Sequence, residues 1–316
     1  MRVELAAEVF TEPAPPRRVI NAVAKLLEAF DEGRHDWVID FDVVDDVNGY
    51  LTKHQPTLAK AYVAMAEMAA KQNAAWTGTT QAGAVVVVPF DEIAEHSSDL
   101  CRAAVIVVEN IPGDEHFLTA VIHAFRAGRV REALDQGWVE FRHGGGSGSV
   151  PAVAKAEAAR FQRSVRVVAI FDSDSFFPGH VTENHTKADA LIGMDISAHV
   201  LLWREAENYA PDRVLAEVAN ESEAAAKIQH LRRLLPRQRG HYDMKNGFRG
   251  EKPVQRALFA DVDTETRRVL HQGFGKIVLR QMFDMRDELS EADFEALDAA
   301  AAADLRTLLA LIDSQI

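Results

Sequence analysis

The sequence predicts an α/β protein: a mostly parallel sheet with helices on both faces, flanked by N- and C-terminal helical regions. Two observations predict it. Between residues 103 and 218, short β-branched runs alternate with helical stretches, which is the grammar of strands joined by right-handed crossover helices. On either side, apolar residues recur instead at the three-and-four spacing of amphipathic helices. The 316 residues therefore divide into a mainly helical region 1–102, an α/β domain 103–218 and a helical region 219–316.

Taken in order, residues 17–30 place Val19, Ile20, Val23, Leu26, Leu27 and Phe30 on one helical face, and Leu58, Ala61, Tyr62, Met65, Met68 and Ala69 repeat the pattern. The Met and aromatic members of these stripes read as core. The longest apolar run, Ala82 to Phe90, is about half of what a bilayer span requires. The start, MRVELAAEVF, carries acids where a signal peptide has an apolar core, so a cytoplasmic protein with no membrane contact is expected. Within the α/β domain the runs AAVIVVEN, GWVEFRHGGG, VRVVAIFDSDS and SAHVLLWREAEN read as strands, with helices between them. Near the end, Ser290-Glu291-Ala292-Asp293 caps a helix bearing Phe294, Leu297, Leu305, Leu308 and Ile312.

Charge narrows the function. A formal net charge of −13 argues against indiscriminate coating of nucleic acid or anionic membrane. One segment departs from that balance. Residues 227–256 hold nine Lys/Arg, among them Arg232, Arg233, Lys245 and Arg249, against only Asp243 and Glu251, a local charge of +7. Tyr242 and Phe248 stand in the same segment as stacking platforms, so nucleic-acid contact is expected there. The single cysteine, Cys101, forms no internal disulfide, and no Cys/His set has zinc spacing.

Ligands in open α/β sheets bind at the carboxyl ends of the strands. Three such ends are acidic here: Glu109 after VIVV, Asp172 and Asp174 after VVAIF, and Glu205 and Glu207 after HVLLW. If strand geometry persists through Asp174, the two-residue period sends both aspartates to one side. Carboxylates crowded at one edge repel each other, and a hard divalent cation resolves the repulsion, with substrate phosphates completing its shell. The glycine-rich turn Gly144, Gly145, Gly146, Ser147 before a helix near Pro151 has the character of a phosphate cradle.

These pieces together resemble a known domain. A strand ending in Glu before an acidic helix start (VVENIPGDEHFL), a glycine-rich turn after the next strand (FRHGGGSGS), an Asp-x-Asp strand end (IFDSDS) and the element REAENYAPD resemble the TOPRIM domain over residues 105–218. The nearest type is that of the OLD-family nucleases and related bacterial anti-phage defence effectors. The resemblance implies a nuclease with Mg2+ or Mn2+ held by Glu109, Asp172 and Asp174, and with Glu205 and Glu207 as further acidic contributors. It also implies control by a separate ATPase subunit, since this chain has no Walker A pattern. A homodimer through the helical flanks is a further expectation.

Two departures stand out. Asn110 replaces the glycine usual after the first Glu, which a left-handed Asn would accommodate. Trp203 and Arg204 stand where related nucleases place a Lys; Arg204 suits a phosphate but not proton transfer, and Lys245 is the residue that could return to the site. Two other functions use the same residues. A haloacid dehalogenase-type phosphohydrolase would use Asp172 as nucleophile, and a non-catalytic TOPRIM-like subunit would bind nucleic acid or protein without cutting.

Overall fold

The structure is a computed structural model and describes residues 1–76, 85–218 and 221–316. Two separate parallel sheets organise it. The first joins β1 (Arg2–Leu5), β2 (Asp36–Val38) and β3 (Val85–Val88) in the order β2-β1-β3. The second joins β4 (Ala104–Val108), β5 (Val139–His143), β6 (Val167–Phe171) and β7 (Ser197–Val200) in the order β5-β4-β6-β7, every pair parallel.

The four strands of the second sheet lie in the runs read as strands from the sequence. All five residues of β4 and of β6 are buried, and successive side chains point to opposite faces. Ile106, Val108, Val168 and Ile170 pack with Phe117 and Val121 of helix Gly113–Ala124 and with the C-terminal Val278, Met282 and Leu305. On the other face Val105, Val107, Val167 and Ala169 meet Val150 and Ala154 of helix Val150–Ala158, and Ala188 and Leu191 of helix Glu183–Ile192. Each fully buried valine or isoleucine contributes about 2 kcal/mol by the area it removes from water.

Besides their helices, the first hundred residues hold a three-stranded sheet that the sequence reading did not include. The short strands RVEL and DWV escape periodicity: β1 buries only Val3 and Leu5, and Arg2 and Glu4 lie between exposure and burial. Helix Arg17–Asp31 matches its predicted stripe, with Val19, Val23, Leu26, Leu27 and Phe30 buried. In helix Ala59–Trp76 the stripe is rotated toward Tyr62, Ala66, Ala69 and Ala70, leaving Met68 60% exposed and not in the core. Of the apolar run Ala82 to Phe90, residues 82–84 lie outside the described residues; Val85–Val88 form β3.

The terminal helix is also two helices. Ser290 N–H donates to Asp293 Oδ2 at 2.8 Å and opens helix Glu291–Glu295, after which Asp298 caps a second helix, Ala299–Asp313, by accepting from Ala300 N–H at 2.6 Å. Among the described residues no helix is long and apolar enough to cross a membrane. The N-terminal layer is bonded directly to the lead-in of β6. Asp99, fully buried, accepts the amides of Gln162, Arg163 and Ser164 at 2.7–3.1 Å, and buried Arg166 donates to the carbonyls of Leu100 and Arg102 at 2.9 and 2.7 Å.

Strand order reverses between β4 and β6, since β5 lies on one side of β4 while β6 and β7 lie on the other. In open α/β sheets such a switch point is where ligands bind, at the carboxyl ends of the strands. Glu109 and Asp172 are the residues that follow β4 and β6 there.

Candidate functional site

Glu109 and Asp172 follow the paired strands β4 and β6 and are close enough to repel each other. Glu109 Oε1 is buried without a hydrogen-bond partner. Burial, then the carboxylates of Asp174 and Asp114, raise Glu109 to about 7, against the pull of the Asp172 amide and Lys187. Asp172 is held well above the usual carboxylate range by burial and by Asp114, Glu207, Glu109 and Glu205. Its Oδ1 accepts the N–H of Ala206 at 2.9 Å, which ties the β6 end to the segment after β7.

Asp174 does not continue the strand. β6 ends at Phe171, and Asp174 has a left-handed backbone with φ 53°, so the two-residue period expected to align both aspartates is broken. That conformation costs an Asp about 1 kcal/mol and is held by two bonds. Asp174 N–H donates to Arg204 O at 2.9 Å, and Asn184 Nδ2 donates to Asp174 Oδ2 at 3.0 Å and to Asp172 O at 2.9 Å. Asn110 does not adopt the left-handed form expected of it. Its amide instead donates to Asp114 Oδ2 at 2.8 Å.

The basic segment delivers a lysine. Lys245 Nζ lies 3.0 Å from Glu207 Oε1 and 3.2 Å from Glu205 Oε2. Burial by itself would lower this lysine, but Glu207, Glu205 and Asp172 outweigh it and hold the ammonium charged. Glu207 is raised by burial despite that partner. A chain of contacts places Lys245. Gly240 sits so close to Trp203 that a Cβ would lie 2.5 Å from its ring, and Gly240 O accepts Arg204 N–H at 2.9 Å. Asn208, fully buried, donates to Arg239 O at 2.8 Å and Tyr242 O at 2.9 Å while its Oδ1 accepts Glu205 N–H at 3.1 Å. Asp243 then accepts Lys245 N–H at 3.1 Å and Arg204 Nη2 at 3.3 Å. In the Glu-Asn-Tyr element, Asn208 and Tyr209 thus act as structural clips; the Tyr209 hydroxyl donates to Asp304 Oδ2 at 2.5 Å.

Other expected contacts are distributed differently. Gly144 N–H and Gly146 N–H donate to Val108 O at 2.7 Å and Glu109 O at 2.9 Å, so these two amides are committed to the end of β4 and do not form an anion cradle. A Cβ at Gly144 would lie 2.9 Å from Val108 O, and Gly145 and Gly146 have φ of +77° and +96°, which is why glycines occupy this turn. Ser147 does reach the site, lining a groove of about 510 Å³ with Asp174, Lys187, Arg204 and Lys252. Arg204 is buried against Glu205 and Asp243, yet its Nη1 has no hydrogen-bond partner. Arg232, Arg233 and Arg249 do not line this groove: Arg232 pairs with Asp212 at 2.6 Å, Arg233 Nη1 faces His230 at 3.3 Å, and Arg249 is exposed. Tyr242 is not an open stacking platform, because it is buried and its hydroxyl donates to Leu270 O at 2.7 Å. Phe248 packs edge-on against Tyr242 and Phe259.

Sequence reading did not single out Asp114, Asn184 or Lys187, which belong to this site. Asp114 carried a usable signal, an acid in the first turn of the helix following Glu109. Asn184 carried none.

Among the described residues no three His, Cys, Asp or Glu side chains are grouped as a ready cage for a metal ion. The trio Glu109, Asp172 and Asp174 is therefore not assembled as a ligand set, Asp174 being turned to Asn184. The pair Glu109 and Asp172 does fit the open kind of Mg2+ site, which uses one or two carboxylates and leaves the rest of the shell to water and phosphate. The donors are hard oxygens, one of them is unpartnered, and their crowding is the repulsion a cation relieves. Comparison with protein-family models, curated proteins and solved structures finds no match for this chain.

Proposed function

We propose that the protein is a divalent-metal-dependent nuclease, hydrolysing phosphodiester bonds of DNA or RNA with Glu109, Asp172 and Lys245 at its centre. One observation carries this reading: Glu109 and Asp172 stand at the ends of adjacent strands, and a lysine of the basic segment pairs with the neighbouring Glu205 and Glu207. Glu109 and Asp172 would hold Mg2+ or Mn2+, and the ion when bound supplies Lewis-acid stabilisation of the phosphate and acidifies water. Glu109, raised to about 7, can hold or release a proton near neutrality. The Lys245 ammonium sets a fixed positive charge beside Asp172, toward which a phosphoryl oxygen can be oriented. Along the groove, Lys187, Arg204 and Lys252 offset the negative charge of a sugar–phosphate backbone.

In the setting implied by the TOPRIM resemblance, the chain would be the cutting component of a bacterial anti-phage system governed by a separate ATPase. A lysine beside Glu205 and Glu207 favours a cutting subunit over a purely binding one. A dehalogenase-type use of Asp172 gives Glu109 no role.

Incubating the purified protein with plasmid, single-stranded DNA, transfer RNA and messenger RNA, in Mg2+, Mn2+ or chelator, tests this reading. Cleavage of at least one substrate is expected in metal, none in chelator and none by Asp172→Ala. Cleavage retained by Asp172→Ala, with contaminants excluded, overturns it.

A further inference from the structure

The loop after Asp174 builds an aromatic stack that the cutting chemistry does not use. The buried Arg204 guanidinium carbon lies over the Phe176 ring, 5.4 Å from its centre. Phe176 stacks on His180 at 5.6 Å and 20°, and His180 stacks on Phe177 at 4.8 Å and 26°. The series starts at a buried cation and ends at a phenyl ring that is 36% exposed. Phe176 and His180 also line the groove that holds Asp174 and Lys252.

We propose that this groove takes an unpaired nucleic-acid strand, with one base stacked on Phe177 and the adjoining backbone carried past Lys252 toward Asp174. A base inside a duplex already has both faces covered by its neighbours, so an open ring at the end of a preformed stack selects nucleotides that are free of pairing. The charge pattern agrees. Lys252 is exposed, lines the groove and, among the described residues, has no ion-pair partner, which suits an incoming phosphate. The inference rests on the nuclease reading for its chemistry, but the binding it describes is measurable without turnover.

The test is fluorescence anisotropy in chelator with the full chain, using a labelled mixed-sequence single-stranded DNA, the same strand as RNA, and the same sequence as duplex DNA. Either single strand should bind at least roughly tenfold more tightly than duplex. Phe177→Ala should weaken single-strand binding by about tenfold and leave duplex binding unchanged, and Phe177→Trp should restore it. Lys252→Ala should flatten the salt dependence of single-strand binding. Equal affinity for single strand and duplex, or full affinity in Phe177→Ala, overturns the inference. Because Phe177 is exposed, its variants are expected to keep the wild-type melting temperature, so a loss of binding reads as loss of the platform. Metal-dependent cleavage is scored in parallel: strand preference without cleavage defeats the nuclease reading alone, and cleavage without strand preference defeats this inference alone.

Discussion

Residue by residue, the site is governed by carboxylates that burial and mutual repulsion make reluctant to ionise. Glu109 is raised to about 7, first by burial and then by Asp174 and Asp114. A raised carboxyl works against the folded state as pH climbs. The unfolded chain ionises from its ordinary value upward, the folded chain ionises only near 7, and between those points folding loses stability. A bound cation reverses that loss because it favours the ionised form. The rise in melting temperature on adding Mn2+ should therefore be larger at about pH 8 than at about pH 6, since the ionised fraction falls about tenfold between them. Thermal scans of wild type and Glu109→Gln check this; an equal Mn2+ effect at both pH values, or an undiminished effect in Glu109→Gln, would contradict it.

Asn208 shows how elements convert sequence into a site. Its side chain bonds Arg239 O, Tyr242 O and Glu205 N–H, clamping the basic loop onto the end of β7 so that Lys245 faces Glu205 and Glu207. Asn208→Ala should cost about 3 kcal/mol, because it leaves buried polar groups unpaired, and should slow cleavage although Asn208 touches no substrate. Urea unfolding and the cleavage rate measure the two effects. A nearby pair adds a pH signature. Burial pushes Asp212 up, but the guanidinium of Arg239 at 2.7 Å and the bonds from Arg232 and Arg239 outweigh it and hold it below its usual value. The stability contributed by that pair is present at neutral pH and is lost as pH falls through the ordinary carboxylate range, and Asp212→Asn should remove that acid-side dependence.

The same scale shows what the sequence could disclose. Continuous apolar runs such as AVIVV and VVAIF announce buried parallel strands, and their acidic ends announce Glu109 and Asp172, because these signals are local. Lys245 was visible only as an option. What fixes it, Gly240 against Trp203 and Asn208 across two loops, is tertiary contact with no sequence period. Asp174 was misjudged for a related reason: its departure from the strand depends on Asn184 and Arg204 O, neither of which a period-two pattern contains.

Across the whole molecule, the N-terminal layer braces the sheet that carries Glu109 and Asp172. Strands of three and four residues left that layer unreadable as a sheet, yet Asp99 accepts three consecutive amides ahead of β6, the strand that carries Asp172. Asp99→Ala should destabilise the entire chain by about 3 kcal/mol, since a fully buried carboxylate and its amide partners are separated. A single cooperative melt shifted downward is expected; a separate early transition of the N-terminal layer, with the rest unmoved, would show that the two layers do not brace each other.

Glu109 and Asp172 are expected to act on one ion. Titrating Mn2+ into the full chain by electron paramagnetic resonance, for wild type, Glu109→Gln and Asp172→Asn, measures that. The expected result is a bound ion in wild type whose affinity falls by at least about tenfold in each variant. Undiminished Mn2+ binding in both variants, or no binding in wild type even with a single-stranded oligonucleotide present, would contradict it.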